Sequence, residues 1–190
     1  MNELDEILSI ATTNLPREYF RLPIDGGGPI YREHVSCYEL YHQMRCLLPK
    51  DCRFRLNGEV DKAAHPILSR LGASYAKPDL LIHGPGHMSQ NHAIIEVKSV
   101  MADLPGVRKD LRTLSLFRTR VGYERAIYLI YGGDYFDRVL SMIEQTVSEL
   151  RVFPPIELWL HESAGSSARR AAILAPRLKE ARSRTPRRER

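Results

Sequence analysis

The pattern of apolar and polar positions along the chain predicts a series of helices and strands. Apolar residues recur every three or four positions in four segments, as on one face of a helix. In five others they alternate or run continuously, as in half-buried or buried strands. The predicted helices cover residues 3–12, 31–48, 107–120 and 135–150. The predicted strands cover residues 53–60, 79–83, 93–97, 125–131 and 156–160. This order predicts an α/β, or layered α+β, domain with a central mixed sheet of four to five strands flanked by helices.

Turn-forming residues and composition divide the chain into three predicted parts. Proline and glycine cluster between positions 16 and 29, so residues 1–30 are predicted to form an N-terminal helix and a loop. Residues 31–163 are predicted to form the main domain, since 190 residues suffice for one domain with a modest tail. Residues 164–190 are predicted to be a basic, flexible tail, in which residues 171–174 permit a short helix that Pro176 would end.

The positive charge of the chain is concentrated in this tail. The whole chain carries a net charge of +5, but residues 164–190 contain nine Lys and Arg residues against two Glu residues. The tail therefore carries +7 and the rest of the chain −2, so the folded part has no global basic field. We predict that Arg169, Arg170, Arg177 and Lys179 bind nucleic-acid phosphates without sequence preference. The alternative is a disordered end that only keeps the protein soluble.

The sequence also bears on where the protein is found. No apolar run approaches the roughly 20 residues that a membrane-spanning helix needs, so we expect no membrane association. The acidic start, MNELDEILSI, lacks the basic and then apolar order of a secretion signal. The three cysteines are odd in number and form no CxxC pair, as is typical of reduced thiols. These features predict a cytoplasmic protein.

Three charged residues stand at the ends of two neighbouring apolar strands. Asp79 opens one strand, and Glu96 and Lys98 close the next, where their spacing of two places both on one face. A short connection between the strands would bring Asp79 beside them. Two converging carboxylates bind a hard divalent cation, and a nearby ammonium can orient or deprotonate a water and offset phosphate charge. The pattern therefore indicates phosphodiester hydrolysis, although charged residues at strand ends are commonly only solvated.

A glutamate opens the helix predicted over residues 31–48. At about 100° per residue, Glu33 lies on the apolar stripe of that helix, seven positions before Leu40, whereas Glu39 projects to roughly the opposite side. Burying an unpaired carboxylate is costly, so a carboxylate on this stripe indicates a partner at the sheet. The alternative is a solvated first-turn residue that the helix dipole favours.

These motifs resemble those of the PD-(D/E)xK, or restriction-endonuclease-like, nucleases. The match consists of Pro78-Asp79 followed by Glu96-Val97-Lys98. More narrowly, PDLLIH and NHAIIEVK resemble the motifs of small stand-alone members, including His83 and Asn91. The resemblance covers roughly residues 31–132. It implies the restriction-endonuclease-like fold, with a central four-stranded mixed sheet flanked by helices.

The resemblance also implies roles for individual residues. It implies catalysis by Glu33, Asp79, Glu96 and Lys98, with Mg²⁺ or Mn²⁺ bound by the three carboxylates. Glu33 best matches the glutamate that the family often places on its first helix, and Glu39 is the reserve choice. The resulting expectation is a metal-dependent nuclease acting on nucleic acid, with DNA favoured over RNA as the substrate.

Two further positions and one alternative function follow from the same resemblance. Glu59 matches an acidic position of similar proteins, and Lys109 or Asp110 matches a polar position near their active sites. The alternative function is a catalytically silent protein of this fold that binds nucleic acid or scaffolds a complex. The small size of the chain favours a protein partner that supplies targeting.

Overall fold

The computed structural model of the protein describes residues 2–60, 66–150 and 153–175. The helices are α1 (Asn2–Thr13), α2 (Arg17–Phe20), α3 (Glu33–Leu47), α4 (Pro66–Arg70), α5 (Leu104–Leu116) and α6 (Phe136–Glu149). The strands are β1 (Arg55–Gly58), β2 (Leu80–His83), β3 (Asn91–Ser99), β4 (Arg125–Tyr131), β5 (Ile156–His161) and β6 (Arg169–Leu174). The layered α+β class predicted from the sequence is confirmed.

All six strands form one mixed sheet in the order β1-β2-β3-β4-β5-β6. Strands β1, β2 and β3 are antiparallel neighbours, β3, β4 and β5 are parallel, and β6 is antiparallel to β5. The C-terminal ends of β3, β4 and β5 therefore meet at one end of the sheet. The start of β2 lies at the same end, because β2 runs against β3. We call this the site end of the sheet.

The register of the central strands places the predicted site residues side by side. Leu80 pairs with Ile95 across the antiparallel β2–β3 ladder. Asp79, one residue before Leu80, therefore stands opposite Glu96, one residue after Ile95. On the other side, Glu96 pairs with Tyr128 in the parallel β3–β4 ladder.

Helices cover both faces of the sheet, so β3 and β4 are buried on both sides. One core lies between the sheet and α1 and α3, and includes Ile95 and Leu129. The other core lies on the face that α5 and α6 cover, and includes Ile94 and Ile130. Side chains alternate between the two faces along a strand, so a buried strand of this kind is nearly all apolar and its few polar residues stand out.

The structure corrects the sequence-based expectation in two places. The sheet has six strands, one more than the upper limit predicted. The additional strand is β6, in residues 169–174, where a short helix in a flexible tail was expected. Ladder bonds to β5 override the local helix preference of two consecutive alanines, which is a weak influence beside tertiary pairing. Residues 176–190 lie outside the described part of the chain.

Two smaller features complete the fold. The helix predicted over residues 107–120 ends in a π-helical turn at Phe117–Val121, and Gly122 follows it with φ of 86°. Between β1 and β2, where the sequence predicts no helix or strand, the structure has the short helix α4. Across the described residues, no helix combines the length and apolar character needed to cross a membrane.

Candidate active site

Asp79 stands at the bend that leads into β2, at the site end of the sheet. Its Oδ2 accepts a hydrogen bond of 2.7 Å from the backbone N–H of Val97. Its backbone carbonyl accepts a bond of 3.0 Å from the N–H of Glu59, which follows β1. Asp79 is thus attached to both neighbouring strands, and this fixes the position of its half-buried carboxyl group.

Glu96 lies beside Asp79, and the two carboxyl groups are close enough for each to shift the pKa of the other. Glu96 is only 5% exposed. Burial raises its pKa well above the ordinary value, and the nearby charges of Asp79 and Asp110 raise it further. Burial also raises the pKa of Asp79, although the Val97 N–H opposes that rise. Two acids this close are costly to ionise together without a compensating positive charge, and the rise in pKa is larger for the more deeply buried Glu96.

Lys98 extends between the two helical layers at the site end. Its ammonium donates to Oε2 of Glu33 at 2.8 Å and lies 3.2 Å from Oδ2 of Asp110. Burial alone would lower the pKa of this lysine, but Asp110 and Glu33 together raise it above its ordinary value. Lys98 is therefore a fixed positive charge at neutral pH. In this arrangement it can orient a water or a phosphate oxygen, but it has no free lone pair with which to accept a proton.

Glu33 is the first residue of α3, and its side chain contacts the end of β3. Its Oε2 accepts from Lys98, and its Oε1 accepts from the backbone N–H and the hydroxyl of Ser99, both at 3.3 Å. The helical stripe does bring Glu33 to the sheet, but against Lys98 rather than as a third ligand beside Asp79 and Glu96. Glu39 accepts a bond of 2.6 Å from Gln43 on its own helix, as expected for the other side of α3.

Asp110 and Tyr128 supply the other wall of the site. Asp110, on α5, is 3% exposed, and its Oδ2 accepts from the Tyr128 hydroxyl at 3.3 Å. Burial raises the pKa of Asp110 to about 6, although Lys98 lowers it. The resemblance indicated only that Lys109 or Asp110 matches the further polar residue that relatives often place near the site. The signal that singles out Asp110 is its place next to Leu111 on the apolar stripe of α5, where a carboxylate needs a partner. Tyr128 was missed, because a tyrosine within an apolar strand is usually core.

The donor set fits a hard divalent cation in part. Asp79 and Glu96 present two adjacent carboxyl groups, and Mg²⁺ in proteins usually takes one or two carboxylates, completing its shell with water and phosphate oxygens. The space between these two carboxyl groups is the position where a cation would offset the charge of both acids. Among the described residues, no group of three or more His, Cys, Asp or Glu side chains is arranged to hold a metal ion. The expected three-carboxylate set that includes Glu33 is therefore not assembled.

The basic residues predicted to bind nucleic acid lie elsewhere in the fold. Arg169 pairs with Glu162 at 2.8 Å. Arg170 lies 3.5 Å from Glu157 and 3.9 Å from Asp5, on the edge strand β6. Strand β6 is three positions from β3 in the sheet, or about 14 Å at the usual strand spacing. Both arginines are thus compensated by carboxylates and distant from Lys98. Arg177 and Lys179 lie outside the described residues.

Comparisons of this chain with protein-family models, with curated proteins and with solved structures find no match.

Proposed function

We propose that the protein is a metal-dependent nuclease that hydrolyses phosphodiester bonds, with DNA as the main substrate. The observation that carries the proposal is the convergence of the Asp79–Glu96 pair and the Lys98 ammonium at one end of the sheet. Purely structural acids would gain nothing from this placement, because two buried carboxyl groups in contact cost free energy unless something neutralises them.

Asp79 and Glu96 are the residues that would hold Mg²⁺ or Mn²⁺. Such an ion, when bound, supplies the Lewis acidity that activates a water and stabilises charge on the phosphate. The bond from the Val97 N–H orients the Asp79 carboxyl group. The burial of Glu96 restricts its side chain to one direction, so both acids are pre-organised without help from the substrate.

Lys98 would stabilise the negative charge that develops on the phosphate and orient the attacking water. Glu33 and Asp110 hold its ammonium from the two helical layers, so they are positioning residues. The Tyr128 hydroxyl in turn fixes Asp110. Because the ammonium is already paired on both sides, a phosphate oxygen that approaches it must share its protons with these two carboxylates.

The test is cleavage of labelled single- and double-stranded DNA and RNA by the purified full chain with Mg²⁺ or Mn²⁺. Asp79→Asn and Glu96→Gln should each lower the rate on the order of 100-fold, since each removes one anionic ligand and keeps the side-chain volume. Glu39→Gln is the matched control, because Glu39 is a glutamate outside the site, and its rate should be unchanged. Equal activity of the wild type and Asp79→Asn would contradict the proposal.

A catalytically silent protein that binds nucleic acid or scaffolds a complex is the second candidate. It is favoured by the closed contacts of Lys98 and by the lack of an assembled three-ligand set among the described residues. Calorimetric titration with Mn²⁺ separates the two candidates. A nuclease should show binding that Asp79→Asn abolishes, whereas a silent protein should show no saturable heat in either form.

A further inference from the structure

One face of α3 is exposed to solvent along its whole length. The residues on this face are spaced by four, four and three positions and are therefore neighbours on the helix surface. They are His34, Tyr38, His42 and Arg45, all exposed. Tyr38 is 60% exposed, which is a large apolar area to leave in water. We call these four residues the outer face of α3.

A surface groove lies at the C-terminal end of this face. It has a volume of about 380 Å³. It is lined by Arg45, Leu48, Pro49, Lys50, Phe54 and Arg55. We call this feature the basic groove. Its described lining contains three cations and no carboxylate, and the Arg53 guanidinium stacks over the Phe54 ring at 4.6 Å as a fourth cation nearby. Asp51 is adjacent in sequence but does not line the groove.

The cations of the basic groove are not neutralised by carboxylates of the described residues. Within the described part of the chain, neither Arg45 nor Lys50 forms an ion pair. Among the described residues, the partners of Arg55 are only the backbone carbonyls of Cys52 and Phe54. This contrasts with Arg169 and Arg170, whose guanidinium groups already face carboxylates. An anion entering the groove therefore meets uncompensated cations, which makes the groove a better phosphate site than the described part of the predicted tail.

The outer face of α3 connects the basic groove with the candidate active site. The helix begins at Glu33, which contacts Lys98, and Arg45 is twelve residues further on. At about 1.5 Å per residue this separation is about 18 Å along the axis. A DNA duplex rises about 3.4 Å per base pair, so the groove is about five base pairs from the site. Near the site, His34 is bonded to Glu59 at 2.8 Å.

We propose that the outer face of α3 and the basic groove bind the phosphate backbone of the nucleic acid on one side of the cleavage point. This inference rests on the proposed nuclease function. Arg45, Lys50 and Arg55 hold phosphates about five nucleotides from the scissile bond, and Tyr38 packs against the sugar and phosphate between them. The surface holds the strand in register with Lys98 and carries no information about its sequence.

The first test compares two charge-reversed proteins in binding to a fluorescent 20-base-pair DNA without divalent metal. Arg45→Glu with Lys50→Glu removes two groove cations. Arg120→Glu with Arg138→Glu is the control, because it makes the same change of charge at exposed positions on the α5–α6 side. The groove variant should bind at least tenfold more weakly, and the slope of log affinity against log salt should fall by about 1.8, the value for two lost phosphate contacts. The control should stay within twofold of the wild type.

The second test varies the length of the DNA. With ten base pairs on each side of the cleaved bond, the groove variant should bind the duplex more weakly than the wild type does. With only three base pairs on the side that lies along α3, the duplex does not reach the groove, so the two proteins should bind it equally. Equal weakening by the groove and control pairs would overturn the inference, because net charge alone would then explain binding. The two proposals fail separately: groove-dependent binding without any cleavage refutes the nuclease, whereas cleavage with no groove effect refutes only the groove.

Discussion

Replacement of Asp110 by Asn should make the protein more stable at neutral pH and less active. Asp110 is 3% exposed, and burial raises its pKa from 3.8 to about 6. The folded state therefore holds this proton more tightly than the unfolded state. The resulting stability is fully present below about pH 4 and is lost as the pH rises through about 6. The shift corresponds to about 3 kcal/mol, at 1.36 kcal/mol for each tenfold change in proton affinity.

Asparagine keeps the shape of the protonated acid and cannot ionise. The free energy of unfolding of Asp110→Asn should thus lack this loss between pH 4 and pH 7, and the difference from the wild type over that range should be about 2–3 kcal/mol. Lys98 meanwhile keeps Glu33 at 2.8 Å but loses the charge of its second partner. Because the Lys98 ammonium is then less firmly positioned, the rate of cleavage should fall on the order of 10-fold to 100-fold.

The measurement is urea unfolding at a series of pH values without divalent metal, together with cleavage rates at pH 7. Glu149→Gln is the control, because Glu149 pairs with Arg108 at the surface. This substitution should leave the free energy of unfolding and the cleavage rate nearly unchanged. If wild type and Asp110→Asn lose stability in parallel from pH 4 to pH 7, Asp110 is not the group responsible. If the variant retains full activity, Asp110 does not position Lys98.

Three further predictions concern other parts of the fold. Glu33→Gln should weaken the hold of α3 on Lys98 and lower the cleavage rate about tenfold without changing the affinity for Mn²⁺, since Glu33 bonds the lysine and Ser99; a calorimetric loss of Mn²⁺ binding would instead make it a ligand. Arg125→Met should lower the free energy of unfolding by about 2 kcal/mol, because Asp5 and Glu157 lose their shortest ion pairs and keep the longer contacts with Arg170. A change under about 1 kcal/mol in urea unfolding would refute this. Truncation after Ser163 should reduce stability and cause aggregation, because it removes β6 and exposes the edge of β5; equal light scattering by the truncated protein and the full chain would refute this.

The sequence alone determined the central strands and the three residues at their ends. The run AIIEV is apolar on both faces, as a central strand must be, and it stands out against the rest of the chain. Because side chains alternate with a period of two, Glu96 and Lys98 had to share a face. The short connection between the strand that Asp79 opens and the strand that Glu96 closes favoured an antiparallel pairing. Strands β2 and β3 do pair in this way, with Leu80 opposite Ile95.

Only the tertiary structure decided what surrounds these residues. Lys98 is held by Glu33 from one helical layer and by Asp110 from the other, which are 65 and 12 positions away in the chain. No local sequence pattern specifies the position of each helix along the sheet. A shift of a helix by one residue would place a different side chain beside Lys98. Strand β6 was not predicted from the sequence for the same reason. Its alanines fit a helix about as well as a strand, and the free energy that decides between them comes from hydrogen bonds to β5, which local preference does not include.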